Sequence, residues 1–279
     1  MKELKNKVAV VTGAGNGIGR SIALALGKAG VHVVVADLQE HAAKKVASEL
    51  TSLGVQAQGV FCDVSREQDV ASLADACYAK FGRVDILCNN AGVSWRPFRS
   101  VADATLDDWR FIYGVNLWGV LHGLDAFLPR MRKQSGEKHI VNTASLGGLF
   151  PMSGHAPYSS SKAAVVSLSE AMAIELAQYG FGVTILVPGR IPTDLRVNSA
   201  LARCQAVDAV DPSFDPVPMP MKERFGEFAV LDSVDAVGEM VRNAILDNTL
   251  YLHTRPIPSD LLIERSLVQY GRTTIGRTS

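Results

Sequence analysis

The sequence has no excess of charge of either sign and few aromatic residues. Its 279 residues include 28 Lys and Arg against 28 Asp and Glu, and aromatic residues make up 7%. A neutral chain lacks the basic surface of a nucleic-acid-binding protein and the polybasic segment of a membrane-attached one, so neither partner is predicted. With 47% hydrophobic and 20% charged residues, the composition also excludes extended disorder and indicates a globular protein.

Paired cysteines and long apolar runs are also lacking. The four cysteines form no CxxC pair, which favours small buried side chains in a reducing compartment over disulfides or a metal site. The N-terminal segment has no apolar core ahead of a cleavage site, and no apolar run approaches the roughly 20 residues that span a bilayer. The sequence therefore predicts a cytoplasmic protein without a bound metal.

Short β-branched runs alternate with longer segments of helical periodicity. The predicted strands are Lys7–Thr12, Val31–Asp37, Gln56–Cys62, Val84–Asn89, His139–Thr143, Gly182–Val187 and a short one near Leu250–His253. The predicted helices are Ile18–Ala29, His41–Leu53, Arg66–Phe81 with Ser65 as its N-cap, one containing Asp107–Met131, Tyr158–Tyr179, Asp194–Val207 and Ser233–Leu246. This alternation predicts a single doubly wound, Rossmann-type α/β domain with a parallel sheet of about seven strands and helices on both faces.

The regular pattern loosens after the sixth predicted strand. Asp211–Pro220 is rich in proline, which neither a helix nor a sheet tolerates. Such a segment is either an irregular surface excursion or a lid over a site at the ends of the strands, and the lid is favoured because long structureless loops are usually functional. We therefore predict a variable substrate lid at about 194–228 and a C-terminal extension at about 254–279.

A glycine-rich turn follows the first predicted strand, where Thr12–Gly19 has the sequence TGAGNGIG. Glycines let the backbone turn sharply and approach a ligand closely, and the N-terminus of the following helix offers N–H groups and partial positive charge to a phosphate. Such a turn also occurs in ordinary loops. Here it opens a βαβ unit, which favours a dinucleotide site.

An acidic residue at the end of the second strand indicates which dinucleotide binds. Asp37 lies 18 positions after Gly19, where a carboxylate accepts hydrogen bonds from the adenosine ribose hydroxyls. The same carboxylate would repel the 2′-phosphate of NADP, and neither Asn16 nor Leu38 is basic. The sequence therefore predicts NAD as the cofactor.

A second group of polar residues lies in the middle of the chain. Tyr158 and Lys162 are four residues apart at the start of a predicted helix and therefore share one face, and Ser145 follows the fifth strand. A free tyrosine, with a pKa of about 10, is a poor base at neutral pH. A neighbouring ammonium group and an oxidised nicotinamide would favour the phenolate, which makes Tyr158 a candidate proton acceptor for an alcohol or donor to a carbonyl.

Together these features resemble the short-chain dehydrogenase/reductase family from about residue 5 to residue 195. The motifs that carry the resemblance are, in family order, TGAGNGIG at Thr12–Gly19, Asp63-Val64, NNAG at Asn89–Gly92, NLWG at Asn116–Gly119, Ser145, YSSSK at Tyr158–Lys162, Pro188-Gly189 and Thr193. The resemblance implies a catalytic tetrad of Asn116, Ser145, Tyr158 and Lys162. Tyr158 would act as general acid or base and Ser145 would bond the reacting oxygen, while Lys162 would hold the nicotinamide ribose and Asn116 a proton-relay water.

The resemblance also implies which residues hold NAD. Asp63 and Val64 would contact the adenine, Asn90 and its neighbours the adenosine ribose side, and the segment from Pro188 to Thr193 the nicotinamide. The full predicted set is Gly13, Gly15, Asn16, Gly17, Ile18, Gly19, Asp37, Leu38, Asp63, Val64, Asn90, Ala91, Gly92, Tyr158, Lys162, Pro188, Gly189, Ile191 and Thr193.

The predicted function is that of an NAD(H)-dependent oxidoreductase that interconverts a secondary alcohol and a ketone of apolar, cyclic or aryl character. Besides Ser145 and Tyr158, candidate substrate contacts are Trp95, Met152 and His155, although packing within the scaffold is the favoured explanation for each of these three. An NADP-dependent carbonyl reductase and a catalytically silent cofactor-binding sensor or scaffold are the alternatives. The family resemblance further implies a homo-oligomer, either a tetramer or a dimer, in which Leu117, Val120, Leu124, Val165, Leu168 and Met172 pack between subunits or within the core.

Overall fold

Strands and helices alternate along the chain in a computed structural model, which describes residues 1–94, 100–203, 233–257, 259, 262 and 263. The strands are β1 (Val8–Thr12), β2 (His32–Asp37), β3 (Ala57–Phe61), β4 (Ile86–Asn89), β5 (Lys138–Thr143), β6 (Phe181–Val187) and β7 (Tyr251–His253). The helices are α1 (Gly17–Lys28), α2 (Glu40–Ser52), α3 (Glu67–Phe81), α4 (Leu106–Tyr113), α5 (Gly119–Lys133), α6 (Leu146–Leu149), α7 (Ala156–Leu176), α8 (Leu195–Ala202) and α9 (Asp235–Asp247).

The seven strands form one parallel sheet in the order β3-β2-β1-β4-β5-β6-β7. This order confirms the predicted doubly wound fold. The direction of winding reverses between β1 and β4, and in such sheets ligands bind in the crevice beyond the carboxyl ends of the strands at that reversal.

The core has two layers, one on each face of the sheet, and the alternation of side chains along the strands divides them. Val33 and Val35 of β2 belong to the layer that contains Leu26 of α1, whereas Val34 between them belongs to the layer that contains Phe127 of α5. Because strand side chains point to opposite faces with a period of two, strands covered on both sides are apolar throughout. This explains the runs of valine in β1 and β2, both of which are buried as predicted.

The long predicted helix is continuous from Leu106 to Lys133 but contains a π-helical turn at Gly114–Trp118 between α4 and α5. This stretch is long and apolar enough to cross a membrane by length and composition alone. A core helix of a globular protein meets the same criterion. Here Phe127 and Met131 of α5 are fully buried against Leu73 of α3.

Most of the predicted segments agree with the structure to within two residues at their ends, but the predicted cap of α3 is wrong. The helix begins at Glu67 with Arg66 at the N-cap, and no side chain caps it. Ser65 instead donates its hydroxyl to Asp63 Oδ1 at 2.7 Å. The backbone N–H of Ser65 also donates to Asp63 Oδ1, which forms an Asx-type turn. Because its hydroxyl bonds Asp63 within this turn, Ser65 does not cap the helix.

The predicted lid and C-terminal extension are largely outside the described part of the chain. The proline-rich Asp211–Pro220, most of the lid and most of the C-terminal extension lie outside the described residues.

Six apolar residues were assigned either to subunit packing or to the core. All of them contribute to the core of this single chain: Leu117, Val120, Leu124, Val165, Leu168 and Met172. The homo-oligomer stays a prediction of the family resemblance.

Candidate active site

A cleft of about 230 Å³ lies at the carboxyl ends of the strands, around the reversal between β1 and β4. Every predicted cofactor residue except Gly15 lines it, and so does Ser145. The cleft is also lined by residues that the sequence did not single out: Gln39, Cys62, Val93, Val115, Thr143, Ala144, Leu195, Asn198 and Ala202. Motifs spread over most of the chain thus meet in one place.

The glycine-rich turn presents an uncapped helix end to this cleft. Asn16 is the N-cap of α1, yet its side chain makes no capping hydrogen bond, so the first-turn N–H groups stay available to a ligand. An added Cβ at Gly17 would lie 3.4 Å from Thr193 Cγ2, which closes the other side of the turn. A cradle of backbone donors with a positive dipole end fits the pyrophosphate of a dinucleotide.

Gly15 does not line the cleft itself but contacts Asp37, which does. Its N–H donates to Asp37 Oδ2 at 2.8 Å, and an added Cβ would lie 2.9 Å from that oxygen and 2.8 Å from Ala42 Cβ. Only glycine therefore lets the carboxylate at the end of β2 approach the turn. This places a carboxylate beside the phosphate cradle, where it fits the ribose hydroxyls of an adenosine.

Asn90 braces the turn against the end of β4. Its amide donates to the carbonyl oxygens of Thr12 and Gly13 at 2.9 and 3.2 Å. Thr12 returns the contact, because its hydroxyl accepts from the N–H groups of Asn90 and Ala91 at 3.0 and 3.1 Å. Thr12 was missed as a site residue, although its position inside the TGAGNGIG motif was a signal for it.

Asn116 is fully buried and lies in the π-helical turn. Its amide forms a reciprocal pair with Val93, accepting from the Val93 N–H at 2.8 Å and donating to the Val93 carbonyl at 3.0 Å. A further bond of 3.2 Å runs to the Ser161 hydroxyl. π-turns occur frequently at functional sites. This one brings the side chain of a helix into contact with the loop after β4.

Lys162 is buried within this site, and its ammonium group donates to the Thr143 carbonyl at 2.8 Å. Burial lowers the pKa of Lys162 to about 8 because the charged form loses its hydration. An added Cβ at Gly92 would lie 3.3 Å from both Lys162 Nζ and Asn116 Oδ1. The lysine and the asparagine therefore both approach Gly92 at the position that a larger residue would fill with its Cβ.

Tyr158 stands beside Ser145, as the predicted tetrad requires. Burial raises the pKa of the Tyr158 phenol above its ordinary value, and the hydrogen bond with the Ser145 side chain lowers it in part. Ser145 is also the N-cap of α6 and accepts from the Gly147 N–H at 3.1 Å. The predicted effect of Lys162 on this phenol stays a prediction.

The predicted substrate contacts differ in position. An added Cβ at Gly147 would lie 3.2 Å from Met152 Cε, 3.5 Å from Tyr158 Cε1 and 3.6 Å from Ser145 Oγ, so Met152 flanks the reacting groups. His155 is 4% exposed and lies against the ring of Tyr158, and it is not among the described residues that line the cleft. Trp95 lies outside the described residues.

Helix α8 lines part of the cleft and contributes contacts that the sequence did not reveal. Asn198 donates to Asn16 Oδ1 at 3.2 Å and accepts from Gln39 Nε2 at 3.3 Å. At the end of α8, Arg203 forms an ion pair of 2.6 Å with the buried carboxylate of Asp108. No motif marks these residues, because each acts through a partner distant in sequence.

The described residues of this region favour neither a cysteine nucleophile nor a bound metal ion. The pKa of the Cys62 thiol is raised to about 12, chiefly by burial and secondarily by the charge of Asp69, so the reactive thiolate is absent at neutral pH. Across the part of the chain that the structure describes, no three His, Cys, Asp or Glu side chains are grouped so as to hold a metal ion.

Comparison with known proteins identifies the class to which this fold and site belong. The family model described as short chain dehydrogenase matches residues 7–203. The chain is 38% identical to the C alpha-dehydrogenase of Sphingobium sp. strain SYK-6 over 202 residues, which are 72% of this chain and 66% of that protein. It is 30% identical to a CLA biosynthesis dehydrogenase/reductase of Lactiplantibacillus plantarum over 95% of this chain and 93% of that one.

Solved structures give the same result. A short-chain dehydrogenase/reductase from Burkholderia phymatum, solved in complex with NAD, has a TM-score of 0.82 and 32% identity with full coverage of both chains. A 7α-hydroxysteroid dehydrogenase complexed with NADH and 7-oxo glycochenodeoxycholic acid has a TM-score of 0.73 and 28% identity, covering 90% of this chain and 94% of that one. The chain belongs to the short-chain dehydrogenase/reductase family. It is an oxidoreductase whose relatives include dehydrogenases that act on hydroxyl groups.

Proposed function

We propose that this protein is an NAD(H)-dependent oxidoreductase that interconverts a secondary alcohol and a ketone, with Tyr158 as the general acid and base. The observation that carries the proposal is the meeting of Tyr158, Ser145 and Lys162 in the cleft that has the Asp37 carboxylate at its dinucleotide end. The tyrosine and serine suit an alcohol oxygen, and the carboxylate suits a ribose.

The preference for NAD over NADP is supported by the charges around Asp37. Among the described residues that line the cleft, Lys162 is the only Lys or Arg. It lies one helical turn from Tyr158 and donates to the Thr143 carbonyl at the end of β5, whereas Asp37 lies at the end of β2. Arg20, which lies near Asn16, is already engaged in an ion pair with Glu49. A 2′-phosphate would therefore meet a carboxylate and no free cation among these residues. The NAD complex of the Burkholderia phymatum relative agrees with this preference.

The chemistry proposed for this chain is a proton transfer coupled to hydride transfer. When NAD is bound, its nicotinamide ring supplies the acceptor or donor of the hydride. Tyr158 takes the hydroxyl proton of the alcohol in oxidation and returns it to the carbonyl in reduction. Ser145 donates a hydrogen bond to the same substrate oxygen. Burial disfavours the Tyr158 phenolate. The proposal therefore gives Lys162 the role of stabilising the phenolate with its positive charge.

An apolar substrate is supported by the side chains that flank Tyr158. Val93, Ile112 and Tyr158 form a buried cluster, against which Phe111 and Ala202 pack. Val93, Val115 and Ala202 also line the cleft. These side chains hold no ionised group, so an alicyclic, steroidal or aryl alcohol fits them better than a charged one.

The test is a screen of alicyclic, steroidal and aryl secondary alcohols with NAD and with NADP. Turnover is measured by the fluorescence of the reduced nicotinamide cofactor that forms. Tyr158→Phe is expected to lower kcat for the best alcohol at least about 100-fold while leaving NADH affinity nearly unchanged, because general acid–base steps contribute about 10²–10⁴-fold. Tyr179→Phe, at a tyrosine that is 39% exposed, is the matched control. Turnover by Tyr158→Phe close to that of the unmodified enzyme would refute the mechanism, and faster turnover with NADP would refute the cofactor assignment.

A further inference from the structure

The imidazole of His155 is stacked on the ring of Tyr158. The ring centroids are 4.4 Å apart and the planes are inclined by only 10°. His155 is the N-cap of α7 and Tyr158 is the third residue of that helix, two positions whose side chains are neighbours. Both residues are buried, with 4% and 9% of their surfaces exposed, so the two flat faces meet with little solvent around them.

A hydrogen bond orients the imidazole. His155 Nε2 and Ser94 Oγ share a bond of 3.3 Å, and a buried polar ring needs such a partner because its burial otherwise costs free energy. Ser94 is itself held in place, since its N–H donates to Ser199 Oγ at 2.8 Å. Ser199 belongs to α8, which lines the cleft. A chain of contacts therefore runs from α8 through Ser94 and His155 to Tyr158.

Building on the proposed function, we propose that His155 is a positioning residue for Tyr158 and does not contact the substrate. The stacked imidazole holds the phenol ring in the plane in which its hydroxyl meets Ser145, and Ser94 holds the imidazole in that plane. Side chains that support a reacting group set its position to within a fraction of an ångström, and a displacement of about 1 Å lowers rates by about 10²-fold.

Two substitutions at the same position separate the flat ring from its nitrogen atoms. His155→Phe keeps a flat ring and loses the hydrogen bond, whereas His155→Leu introduces an apolar side chain and loses both the flat ring and the hydrogen bond. We expect kcat for a secondary alcohol to fall at least about tenfold in His155→Leu and to stay within about threefold in His155→Phe. KM for the alcohol and the dissociation constant for NADH are expected to change less than about twofold in both, because the proposal places His155 behind Tyr158 and not against either ligand.

The link to Ser94 is tested by a double-mutant cycle. Ser94→Ala is expected to lower kcat about threefold in the unmodified enzyme and to have no further effect in His155→Phe, where the hydrogen bond is already lost. Equal losses in His155→Leu and His155→Phe, or an unchanged kcat in His155→Leu, would overturn the positioning role. An equal effect of Ser94→Ala in both backgrounds would overturn the link. Thermal unfolding checks that each variant folds, and His155→Met replaces His155→Leu if the latter does not.

An NMR measurement that does not depend on turnover distinguishes a failure of this proposal from a failure of the proposed function. Ring flipping of Tyr158 is followed by NMR of the NADH-bound enzyme with ¹³C-labelled tyrosine rings, the signal being assigned by its absence in Tyr158→Phe. Flipping is expected to be slow in the unmodified enzyme and in His155→Phe, and at least about tenfold faster in His155→Leu. Equal flipping rates in the unmodified enzyme and His155→Leu would overturn the positioning role. Absence of alcohol turnover together with this difference in flipping would reject the proposed function alone.

Discussion

The carboxylate of Asp37 lies against the backbone of Gly15, whose N–H donates to Asp37 Oδ2 at 2.8 Å. The other carboxylate oxygen accepts from the N–H of Gln39 at 2.9 Å. These two bonds hold a negative charge at the end of β2, at the edge of the cleft. A charge held by backbone donors does not move readily away from an approaching phosphate, and this is the physical basis of the proposed preference for NAD.

Replacing Asp37 with Ser is expected to erode the preference for NAD. The unmodified enzyme should favour NAD over NADP at least about tenfold in kcat/KM, which corresponds to about 1.4 kcal/mol. The variant should show a ratio below about threefold, because repulsion of the 2′-phosphate is relieved. Asp107→Ser, at a carboxylate whose side chain is 81% exposed, serves as the control. An unaltered ratio in Asp37→Ser would mean that this carboxylate does not face the ribose.

Adding a methyl group at Gly15 is expected to weaken cofactor binding. The new Cβ would lie 2.9 Å from Asp37 Oδ2 and 2.8 Å from Ala42 Cβ, so the carboxylate must leave its place. Overpacking of this kind costs on the order of 1–3 kcal/mol, and we expect the NADH dissociation constant of Gly15→Ala to rise at least about tenfold by fluorescence titration. Gly114→Ala is the control, since the nearest atom to its new Cβ is 3.8 Å away. Equal affinities in the two variants would contradict the prediction.

Truncation of Asn116 is expected to destabilise the protein as well as the site. Asn116→Ala leaves the N–H and carbonyl of Val93 without their side-chain partner in a fully buried position. Each buried polar group left unpaired costs about 1–3 kcal/mol, so urea denaturation should show a loss of at least about 2 kcal/mol. Asn243→Ala, on the exposed face of α9, should change the free energy of unfolding by less than about 0.5 kcal/mol. Similar losses in the two variants would argue against a special role for the Val93 pair.

Acid stability is expected to depend on His139. Burial lowers the pKa of His139 to about 3 from an ordinary value of 6.5, and its Nε2 contacts Thr184 Oγ1 at 2.8 Å. The unfolded chain therefore binds a proton below pH 6.5 while the folded chain does not, and stability falls as the pH is lowered through this window. The slope contributed by one such group approaches about 1.4 kcal/mol per pH unit. Urea denaturation at pH 6, 5 and 4 should show a shallower dependence in His139→Gln, whereas exposed His41→Gln should follow the unmodified protein.

The rate of alcohol oxidation is expected to rise toward alkaline pH. Because burial raises the pKa of Tyr158, the base form required for oxidation becomes more abundant only as the pH increases. The profile of kcat/KM between pH 6 and 10 measures this rise, and the residual activity of Tyr158→Phe should not follow it. A flat profile in the unmodified enzyme would assign the proton transfer to another group.

The local parts of this protein were predictable from the sequence. Valine-rich strands, helical periodicity and the glycine-rich turn depend on residues that are neighbours along the chain, so the order of strands and helices could be predicted. The candidate tetrad and cofactor residues could be named because their motifs resemble those of the short-chain dehydrogenase/reductase family. Asp37 could be predicted because it is an acidic residue at the end of the second strand of a βαβ unit. The wrong N-cap at Ser65 arose where two local hydrogen-bonding patterns competed for one hydroxyl.

Contacts between distant segments were decided only by the tertiary structure. The sequence does not show that Asn116 pairs with Val93, that Asn198 reaches Asn16, or that Gly15 makes room for the carboxylate of Asp37. The ring of His155 lies three residues from Tyr158, yet neither its stacking nor its bond to Ser94 follows from that spacing. Such contacts depend on how the sheet and helices pack, because packing brings together side chains that have no fixed separation along the chain. The sequence alone thus determined which groups are available for chemistry, and the packing of the fold determined where each of them lies.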